Sequence, residues 1–510
     1  MVSLSKNNNS FRTGEWLISA IHLFFFANQN HKNQDSLKNK NRFFAPVKWR
    51  IHFLIIVIGL IISTTTRAEL PTAQQIAGKM KIGWNLGNKL EATWVPRNSF
   101  GTTTQVTIDS VKRAGFNTVR LPVAWFYHSD TISSTIDGTW LANVKKVVDY
   151  CIKDSMYVII NAHWDLGWLE NRVNTANKAT VNTRQNLYWT QIANYFKAYN
   201  GHLLFAGANE PNVSDATGMS VLLSYHQTFI NAVRATGGNN SSRTLVIQGP
   251  STDITTTNNL MNTMPTDQIS NRLIVEVHYY TPWNFCGMNG DANWGNMFYY
   301  WGKGNHSTTD VIRNSTWGEE SDMDKYLGLM KTKFIDKGIP VIIGEYGAFR
   351  RDLSNVSPPS NQTLHNASIE YYYRYFMKST IQMGFIPYCW DTGGIFNFTT
   401  GKVNDRVVLN AIMQGAKDAT TGATTGTTLL NDNTLEIYPN PFTSTINLKI
   451  DNPDDIDRIT VFDIMGRQVE DIRHSAVKNS LTLGSSLQPN IYIVCVYGKN
   501  WSKTFKVVKK

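Results

Sequence analysis

Short apolar runs alternate with amphipathic stretches from about residue 80 to residue 390. Eight runs are predicted as strands: Lys81–Asn85, Thr118–Pro122, Tyr157–Asn161, Leu203–Gly207, Thr244–Gln248, Leu273–Val277, Pro340–Gly344 and Phe385–Cys389. Continuous apolar runs are typical of parallel strands that are buried on both faces. Between them, Val144–Ile152 and Val221–Ile230 have the apolar spacing of helices. Eight such units predict an α/β fold, a (β/α)₈ TIM barrel.

A doubly wound open sheet is the alternative to the barrel. That fold usually carries a glycine-rich phosphate loop after its first strand. No such loop follows Lys81–Asn85, so the barrel is favoured.

The end of the chain changes in character. Residues 419–428 are a Thr/Gly-rich linker. Alternating apolar runs follow it, separated by turn signals, and they predict a small β-sandwich: Leu435–Tyr438, Thr445–Ile450, Ile459–Phe462 and Ile491–Val496. The predicted organisation has four parts: an N-terminal extension with signal peptide (1–68), the barrel (69–417), the linker (418–432) and the β-sandwich (433–510).

The beginning of the chain has the features of an export signal. Lys48 and Arg50 precede the apolar run Phe53–Ile62, and a small residue, Ala68, follows at a plausible cleavage point. The run is short for a membrane span, so no span is expected in the mature protein. Because residues 1–46 precede the signal, the start at Met1 is suspected to be too early. A real N-terminal anchor is the alternative.

Charge and cysteines exclude several classes of protein. The formal net charge is +11, but residues 1–68 contribute +7 and residues 431–510 contribute +1, so no nucleic-acid binding is inferred. None of the four cysteines has zinc-ligand spacing. A Cys286–Cys389 disulfide is conceivable in an exported protein, but buried free thiols are favoured.

The C-terminal part carries a recognisable set of motifs. Tyr438–Phe442, Val461–Arg467 and the basic end Lys506–Lys510 together resemble the C-terminal sorting domain of type IX secretion. Pro489 departs from that pattern, since the family usually has glycine before the aliphatic residue and tyrosine. The resemblance implies export to the outside or to the cell surface of a Gram-negative bacterium, with the secretion machinery as a partner. A generic β-sandwich appendage, such as a carbohydrate-binding module, is the alternative.

Polar side chains lie at the ends of the predicted barrel strands. They are Arg120, His163, Asn209–Pro211, Glu276, His278, Tyr280, Glu345 and Trp390–Asp391. In a TIM barrel the carboxyl ends of the strands meet around one mouth, where the active site lies. Because a buried charge is costly unless it is paired or used, carboxylates directly after apolar strands indicate a catalytic centre.

Two of these acids fit glycoside cleavage. Glu210 and Glu345 follow strands four and seven, on roughly opposite sides of the barrel, and at about 5–5.5 Å they would act as acid/base and nucleophile of a retaining enzyme. The acid has to hold a proton near neutral pH, so the pKa of Glu210 is expected to be raised. Four neighbours are expected to support the two acids. Asn209 would bind the sugar 2-hydroxyl, and Arg120 would hold Glu345 ionised. Tyr280 would donate a hydrogen bond to Glu345, and His278 would orient Glu210.

The ordered motifs then resemble glycoside hydrolase family 5, in its cellulase-like branch. They are Gly83–Asn88, Asn117–Pro122, His163, Asn209–Pro211, Glu276–Tyr280, Ile343–Gly347 and Trp390–Asp391, within residues 78–415. The resemblance implies Glu210 as acid/base, Glu345 as nucleophile, and Arg120, His163, Asn209, His278, Tyr280 and Trp390 in the subsite next to cleavage. It implies an endo-acting β-1,4-glucanase, with no cofactor. A monomer is expected. Trp164–Asp165 departs from the His-Glu of many relatives, which affects subsite details.

The sequence leaves several alternative interpretations of substrate, function and residue roles open. The substrate could be xyloglucan, mixed-linkage glucan or mannan, or the barrel could be a non-catalytic glycan-binding surface protein. Metal-dependent hydrolysis lacks a ligand motif in the sequence. His163 could be a satisfied interior histidine, and Glu276 an interior acid. Three further acids are expected to be exposed loop residues: Asp165, Glu170 and Asp391.

Aromatic residues are abundant in the loops that follow the strands. Trp94, Trp168, Trp283, Phe285, Trp294 and Trp301 are candidates to line a cleft, and Trp390 is expected to stack on the sugar at the cut. The segment Thr281–Asn305 could form a wall of that cleft. For any one of the loop rings, packing within the loop is an equally good interpretation.

Overall fold

A computed structural model describes residues 69–94, 103–354, 356, 360–421, 435–450, 453–473, 480–498 and 502–510. The predicted signal peptide and N-terminal extension lie outside the described residues. So does most of the predicted linker, although its first four residues continue the last helix of the barrel, Arg406–Thr421.

Eight parallel strands close into a barrel in sequence order. They are β1 (Gly83–Leu86), β2 (Thr118–Leu121), β3 (Tyr157–Asn161), β4 (Leu203–Ala206), β5 (Leu245–Gln248), β6 (Leu273–Tyr279), β7 (Val341–Tyr346) and β8 (Ile386–Asp391). β8 pairs in parallel with β1, which closes the sheet. The prediction of a TIM barrel is confirmed, and each predicted strand overlaps its observed counterpart.

Helices precede, separate and follow these strands along the chain. In chain order they are α1 (Ala73–Ala77), α2 (Gln105–Ala114), α3 (Gly138–Lys153), α4 (Lys178–Tyr195), α5 (Ala216–Ala235), α6 (Ile254–Leu260), α7 (Trp283–Cys286), α8 (Glu320–Lys333), α9 (Gln362–Gln382) and α10 (Arg406–Thr421). Asp215 caps α5 by accepting a hydrogen bond from the Gly218 amide at 2.7 Å. This cap begins the helix five residues after Glu210, at the mouth.

Strand β6 shows how a buried strand can carry polar side chains. Successive side chains point to opposite faces of a strand. Val275, Val277 and Tyr279 pack in the apolar layer under the helices, whereas Ile274 packs in the cluster inside the barrel. Glu276 and His278 share the inward face of Ile274, so polar residues replace apolar ones as the strand approaches the mouth.

The C-terminal residues form two antiparallel sheets. β9 (Leu435–Tyr438), β10 (Ile446–Ile450) and β13 (Ser480–Leu483) make the first, in the order β13-β10-β9. β11 (Ile456–Asp463), β12 (Gln468–Arg473), β14 (Asn490–Gly498) and β15 (Ser502–Lys509) make the second, in the order β12-β11-β14-β15. Alternating apolar side chains from both sheets share one core. The predicted β-sandwich is confirmed.

Two smaller predictions concern thiols and membranes. Cys286 and Cys389 are buried free thiols, as the sequence analysis favoured. Over the described ranges, every helix is too short or too polar to cross a bilayer.

Candidate active site

Two glutamates from opposite sides of the barrel meet at its mouth. Glu210 follows β4, and Glu345 lies on β7. One carboxylate oxygen of each, together with a ring nitrogen of His278, lies within 4.8 Å of the others. The Glu345 side chain is almost entirely buried, whereas 46% of the Glu210 side chain is exposed. One acid is therefore fixed inside the barrel and the other opens onto the mouth.

Arg120 on β2 joins the side chains that surround Glu345. Its Nη1 donates to Oε1 of Glu345 at 2.9 Å and to Oδ1 of Asn85 at 3.0 Å. Its Nη2 donates to Oδ1 of Asn209 at 2.7 Å. Its Nε lies 2.8 Å from Oε1 of Glu276 in an ion pair, although this N–H is not aligned for a hydrogen bond. The planar guanidinium on β2 thus connects residues on or after four other strands at the mouth: β1, β4, β6 and β7.

His278 connects the exposed glutamate to a third, buried one. Nδ1 lies 2.7 Å from Oε1 of Glu210, and Nε2 lies 3.2 Å from Oε1 of Glu276. Nε2 also lies 3.9 Å from Oε1 of Glu345. Burial works to lower the pKa of His278, but Glu345, Glu210 and Glu276 together raise it to about 9. The imidazole is therefore an imidazolium at neutral pH.

The pKa values of the two facing acids differ from the prediction. Burial raises the pKa of Glu345 above its ordinary value, and His278 and Arg120 only partly offset that effect. Burial also acts on Glu210, but the hydrogen bond from His278 and the charges of His278 and Arg120 hold its pKa below the ordinary value. The expectation of a raised pKa for Glu210 is thus wrong. The reason is the protonated imidazole beside it, which the sequence does not reveal.

Tyr280, His163 and Trp390 complete the wall around the acids. The hydroxyl of Tyr280 donates to Oε2 of Glu345 at 3.2 Å. The rings of His163 and Trp390 are nearly parallel, with an interplanar angle of 11° and centroids 5.7 Å apart. Burial and the charges of Arg120 and His278 keep the pKa of His163 well below its ordinary value. A neutral, buried His163 therefore supports the Trp390 ring, in addition to being a satisfied interior histidine.

Three residues at the site were missed or left undecided by the sequence analysis. Asn85 on β1 donates to the carbonyl of Gly344, the residue before Glu345, at 2.9 Å. Gln248 at the end of β5 donates to Oε2 of Glu276 at 2.6 Å. Glu276 is fully buried and paired, which confirms that it is an interior acid. Asn85 and Gln248 could have been found by extending the search for strand-end polar residues to β1 and β5.

The three acids expected to be exposed are buried. Asp165 accepts hydrogen bonds from the amides of Phe126 and Tyr127, and burial raises its pKa to about 7. Glu170 is 2% exposed, and burial raises its pKa to about 8. Asp391 accepts from the indole of Trp84 at 3.0 Å and from three loop amides. The prediction was wrong because the loop after β2 donates to Asp165 and the loop after β8 folds back over Asp391, and because Glu170 is buried despite its polar carboxyl group.

The loop aromatic residues divide into two groups. Trp168, Phe285 and Trp301 are buried and pack within the loops. Trp94, Trp283 and Trp294 are between 48% and 65% exposed, so they are the candidates to contact a polymer. Exposed aromatic side chains also occur at Trp164, Trp317 and Phe349.

Within the described part of the chain, one group of residues has the spacing of metal ligands: Glu210, His278 and Glu345. The sequence motifs gave no sign of it, because the three residues come from different strands. Arg120 already supplies a cation 2.9 Å from Glu345, and Nδ1 of His278 is paired with Glu210. The arrangement is that of paired acids with organic cations.

Comparison with known proteins gives the family. Residues 79–393 match the cellulase family, glycosyl hydrolase family 5. The chain belongs to glycosyl hydrolase family 5. This membership confirms the predicted endo-acting retaining glycosidase for β-1,4-linked glucan.

Curated relatives place this family 5 enzyme among endoglucanases. It is 36% identical over 369 residues to a xyloglucan-specific endo-beta-1,4-glucanase of Bacteroides ovatus, covering 68% of this chain and 70% of that protein. It is 33% identical to endoglucanase A of Paenibacillus barcinonensis, covering 68% of this chain and 90% of that protein.

Solved structures agree with these relatives. A family 5 xyloglucan-specific β-1,4-glucanase from a ruminal metagenomic library, in complex with XXLG, is 41% identical, with a TM-score of 0.60 over 71% of this chain and 99% of that one. The Bacteroides ovatus GH5 xyloglucanase in complex with a XXXG heptasaccharide has a TM-score of 0.63 at 34% identity, over 69% of this chain and 78% of that one.

The C-terminal domain of this family 5 enzyme also has a match. Residues 436–510 match the secretion system C-terminal sorting domain. The predicted sorting domain is confirmed, and the protein is secreted or presented at the cell surface.

Proposed function

We propose that Glu345 is the nucleophile and Glu210 the acid/base of a double displacement on β-1,4-glucan. The observation that carries this proposal is the separation of the two carboxylates, whose facing oxygens lie within 4.8 Å. Retaining enzymes have carboxyl groups about 5–5.5 Å apart, whereas inverting enzymes leave room for a water at about 6.5–9.5 Å.

The environments of the two acids support this division of roles. Both oxygens of Glu345 accept hydrogen bonds, from Arg120 at 2.9 Å and Tyr280 at 3.2 Å. These donors stabilise the ionised form of Glu345 against the burial that raises its pKa, and they fix the orientation of the carboxylate. Glu210 is half-exposed and has one oxygen paired with His278, so its second oxygen can face the glycosidic oxygen of a bound chain.

The reaction then takes two steps. Glu345 attacks the anomeric carbon while Glu210 gives its proton to the departing sugar oxygen. Water next attacks the glycosyl–Glu345 ester, and Glu210 takes a proton from that water. Arg120 holds Oδ1 of Asn209 at 2.7 Å, which turns the amide nitrogen of Asn209 to donate to the sugar 2-hydroxyl. Trp390, backed by His163, is the platform for the sugar at the cut.

The favoured natural polymer is xyloglucan. Two observations support it: the relatives at 36% and 41% identity carry xyloglucan in their names, and one solved relative holds the branched XXXG oligosaccharide. A linear β-1,4-glucan is the second candidate, since a family 5 endoglucanase of Ruminococcus champanellensis at 31% identity is described as broad in specificity. Initial rates on xyloglucan, mixed-linkage glucan, carboxymethylcellulose and mannan decide between them.

The protein is proposed to reach the surface of a Gram-negative bacterium through the type IX secretion machinery and to act as a monomer. The sorting-domain match supports the route. The monomer is supported by the origin of both proposed catalytic acids and their hydrogen-bond partners in one chain.

The proposed roles are tested with Glu345→Ala and Glu210→Ala. Each variant is expected to lose hydrolysis of the polymer, and sodium azide is expected to restore turnover of an activated aryl glycoside with opposite anomeric outcomes. Azide should give the α-glycosyl azide with Glu345→Ala and the β-glycosyl azide with Glu210→Ala. Full activity of either variant on the polymer would refute its assigned role.

A further inference from the structure

The third carboxylate of the site, Glu276, lies on β6 beside Arg120 and His278. It is fully buried, and it has two hydrogen-bond partners, Gln248 and His278, and an ion pair with Arg120. The effect of this buried charge on the acid step rests on the proposed acid role of Glu210.

The orientation of Gln248 fixes one oxygen of Glu276 as an acceptor. Oε1 of Gln248 accepts a hydrogen bond from the amide of Ala208 at 2.9 Å. The Nε2 group of Gln248 must therefore be the one that faces Glu276, and it donates to Oε2 at 2.6 Å. A protonated Oε2 would have no acceptor there, so this contact favours the ionised form.

The other oxygen faces two cations. Oε1 of Glu276 lies 2.8 Å from Nε of Arg120 and 3.2 Å from Nε2 of His278. Although burial works to raise it, the pKa of Glu276 lies below its ordinary value, chiefly because of Arg120 and His278. Glu276 is thus an anion, and Nε2 of His278 must carry a proton to donate to it.

The backbone reserves the space for this carboxylate. A Cβ on Gly344, the residue before Glu345, would lie 2.0 Å from Oε1 of Glu276. The pairing of β6 with β7 shifts its register after Val277, so that His278 lies opposite Glu345. The strand that carries the nucleophile position is therefore shaped around Glu276.

The charge on Glu276 decides where the proton of the acid lies. If His278 is neutral with its proton on Nε2, then Nδ1 is an acceptor and takes the proton of Glu210 onto Oε1, away from substrate. If His278 is an imidazolium, Nδ1 donates to Oε1 of Glu210 at 2.7 Å, and a proton on Glu210 has to sit on the other oxygen. Only the second arrangement can protonate a leaving group.

We infer that Glu276 is a positioning residue for the acid step: it holds His278 as a double donor and thereby keeps the proton of Glu210 on the oxygen that faces the leaving group. No bond to Glu276 forms or breaks in the reaction. With Arg120 and His278 positive, and Glu276 and Glu345 negative, the site is neutral when Glu210 is protonated, and the removal of one negative charge disfavours that state.

The protonation of His278 depends on all the charged and titratable groups that face it. They are Glu210 after β4, Glu345 on β7, Arg120 on β2, His163 after β3 and Glu276 on β6. His163 is neutral and Arg120 is permanently charged, so neither changes its protonation near neutral pH. A change in the pH dependence of kcat/KM after substitution of Glu276 therefore reports on His278 and the two facing acids.

The test compares Glu276→Gln with Glu276→Asp, which keeps the charge. For Glu276→Gln, the alkaline limb of the pH profile of kcat/KM on the polymer should move to lower pH. At neutral pH, kcat/KM should fall on the order of 100-fold, which is a usual contribution of general acid catalysis. Glu276→Asp should keep the wild-type alkaline limb. An unchanged limb in Glu276→Gln, or the same shift in both variants, would overturn the inference.

The dependence of kcat/KM on the leaving group distinguishes a loss of proton positioning from a general loss of active-site structure. The dinitrophenolate of dinitrophenyl cellotrioside departs without a proton, whereas the phenolate of phenyl cellotrioside needs a proton from the acid. Glu276→Gln should lose much more kcat/KM on the phenyl substrate than on the dinitrophenyl substrate, and equal losses on both would contradict the role. Glu210→Gln serves in the same assays: if it cleaves the polymer like wild type, the proposed acid role fails, whatever Glu276 does.

If Glu276→Gln does not fold, a second measurement on the wild-type protein tests the same inference. Nitrogen NMR with the ring signals assigned through His278→Gln should find both ring nitrogens of His278 protonated at pH 7. A neutral His278 ring at that pH would overturn the inference.

Discussion

Gly344→Ala is a change of one methyl group that should disable the site. The added Cβ would lie 2.0 Å from Oε1, 2.7 Å from Cδ and 2.8 Å from Cγ of Glu276. Gly344 is not among the glycines with a left-handed backbone, so the requirement for glycine comes from this contact and not from φ.

The structure offers two ways to relieve the contact, and both are costly. If Glu276 moves, it leaves Arg120 at 2.8 Å and Gln248 at 2.6 Å, and a broken buried ion pair costs about 3–5 kcal/mol. If strand β7 moves instead, Glu345 moves with it, and a displacement of about 1 Å costs about 100-fold in rate. We therefore expect a large loss of stability, of kcat/KM, or of both.

Urea unfolding and kcat/KM on the polymer measure the two losses. Gly328→Ala on α8 is the matched control, since nothing lies within 4 Å of its added Cβ. Alanine in an exposed helix should stabilise that variant by about 0.5–1 kcal/mol and leave its activity unchanged. Wild-type stability together with wild-type kcat/KM in Gly344→Ala would refute the argument that the partners of Glu276 hold it in place.

Three further predictions follow from other contacts. Arg120→Lys should lower kcat/KM by about 100-fold, because one ammonium cannot replace a planar group with four partners; a loss under tenfold, with circular dichroism as the folding control, would contradict this. Gly87→Ala should raise KM by about tenfold, roughly 1.4 kcal/mol, because its Cβ would lie 2.8 Å from the carbonyl oxygen of Asp391 and 2.9 Å from the Trp390 ring, and relief of these contacts displaces the ring; an unchanged KM would count against that ring as a platform. The pKa of Glu170 rises from 4.5 to about 8 on burial, so the folded state keeps a proton that the unfolded state has released, and stability falls as pH rises between those values. Glu170→Gln should flatten this fall in urea unfolding between pH 5 and pH 8, and an unchanged slope would show that Glu170 is not its source.

The strands and the two facing acids were predictable from the sequence for a physical reason. A parallel strand buried on both faces has to be apolar along its length, so Tyr157–Asn161 was predicted with the bounds that the structure gives it. A carboxylate directly after such a run is costly unless it has a use or a partner, which singled out Glu210 and Glu345.

Only the tertiary structure decided how these acids are charged and which others are buried. The pKa of Glu210 depends on an imidazolium from β6, and that imidazolium depends on Glu276 and Glu345. Asp165, Glu170 and Asp391 are expected on the surface because a loop sequence shows only polarity, whereas their burial depends on contacts that form when the loops fold. Apolar patterning is local along the chain and survives in the sequence, but the field at a carboxylate is the sum over groups that only folding brings together.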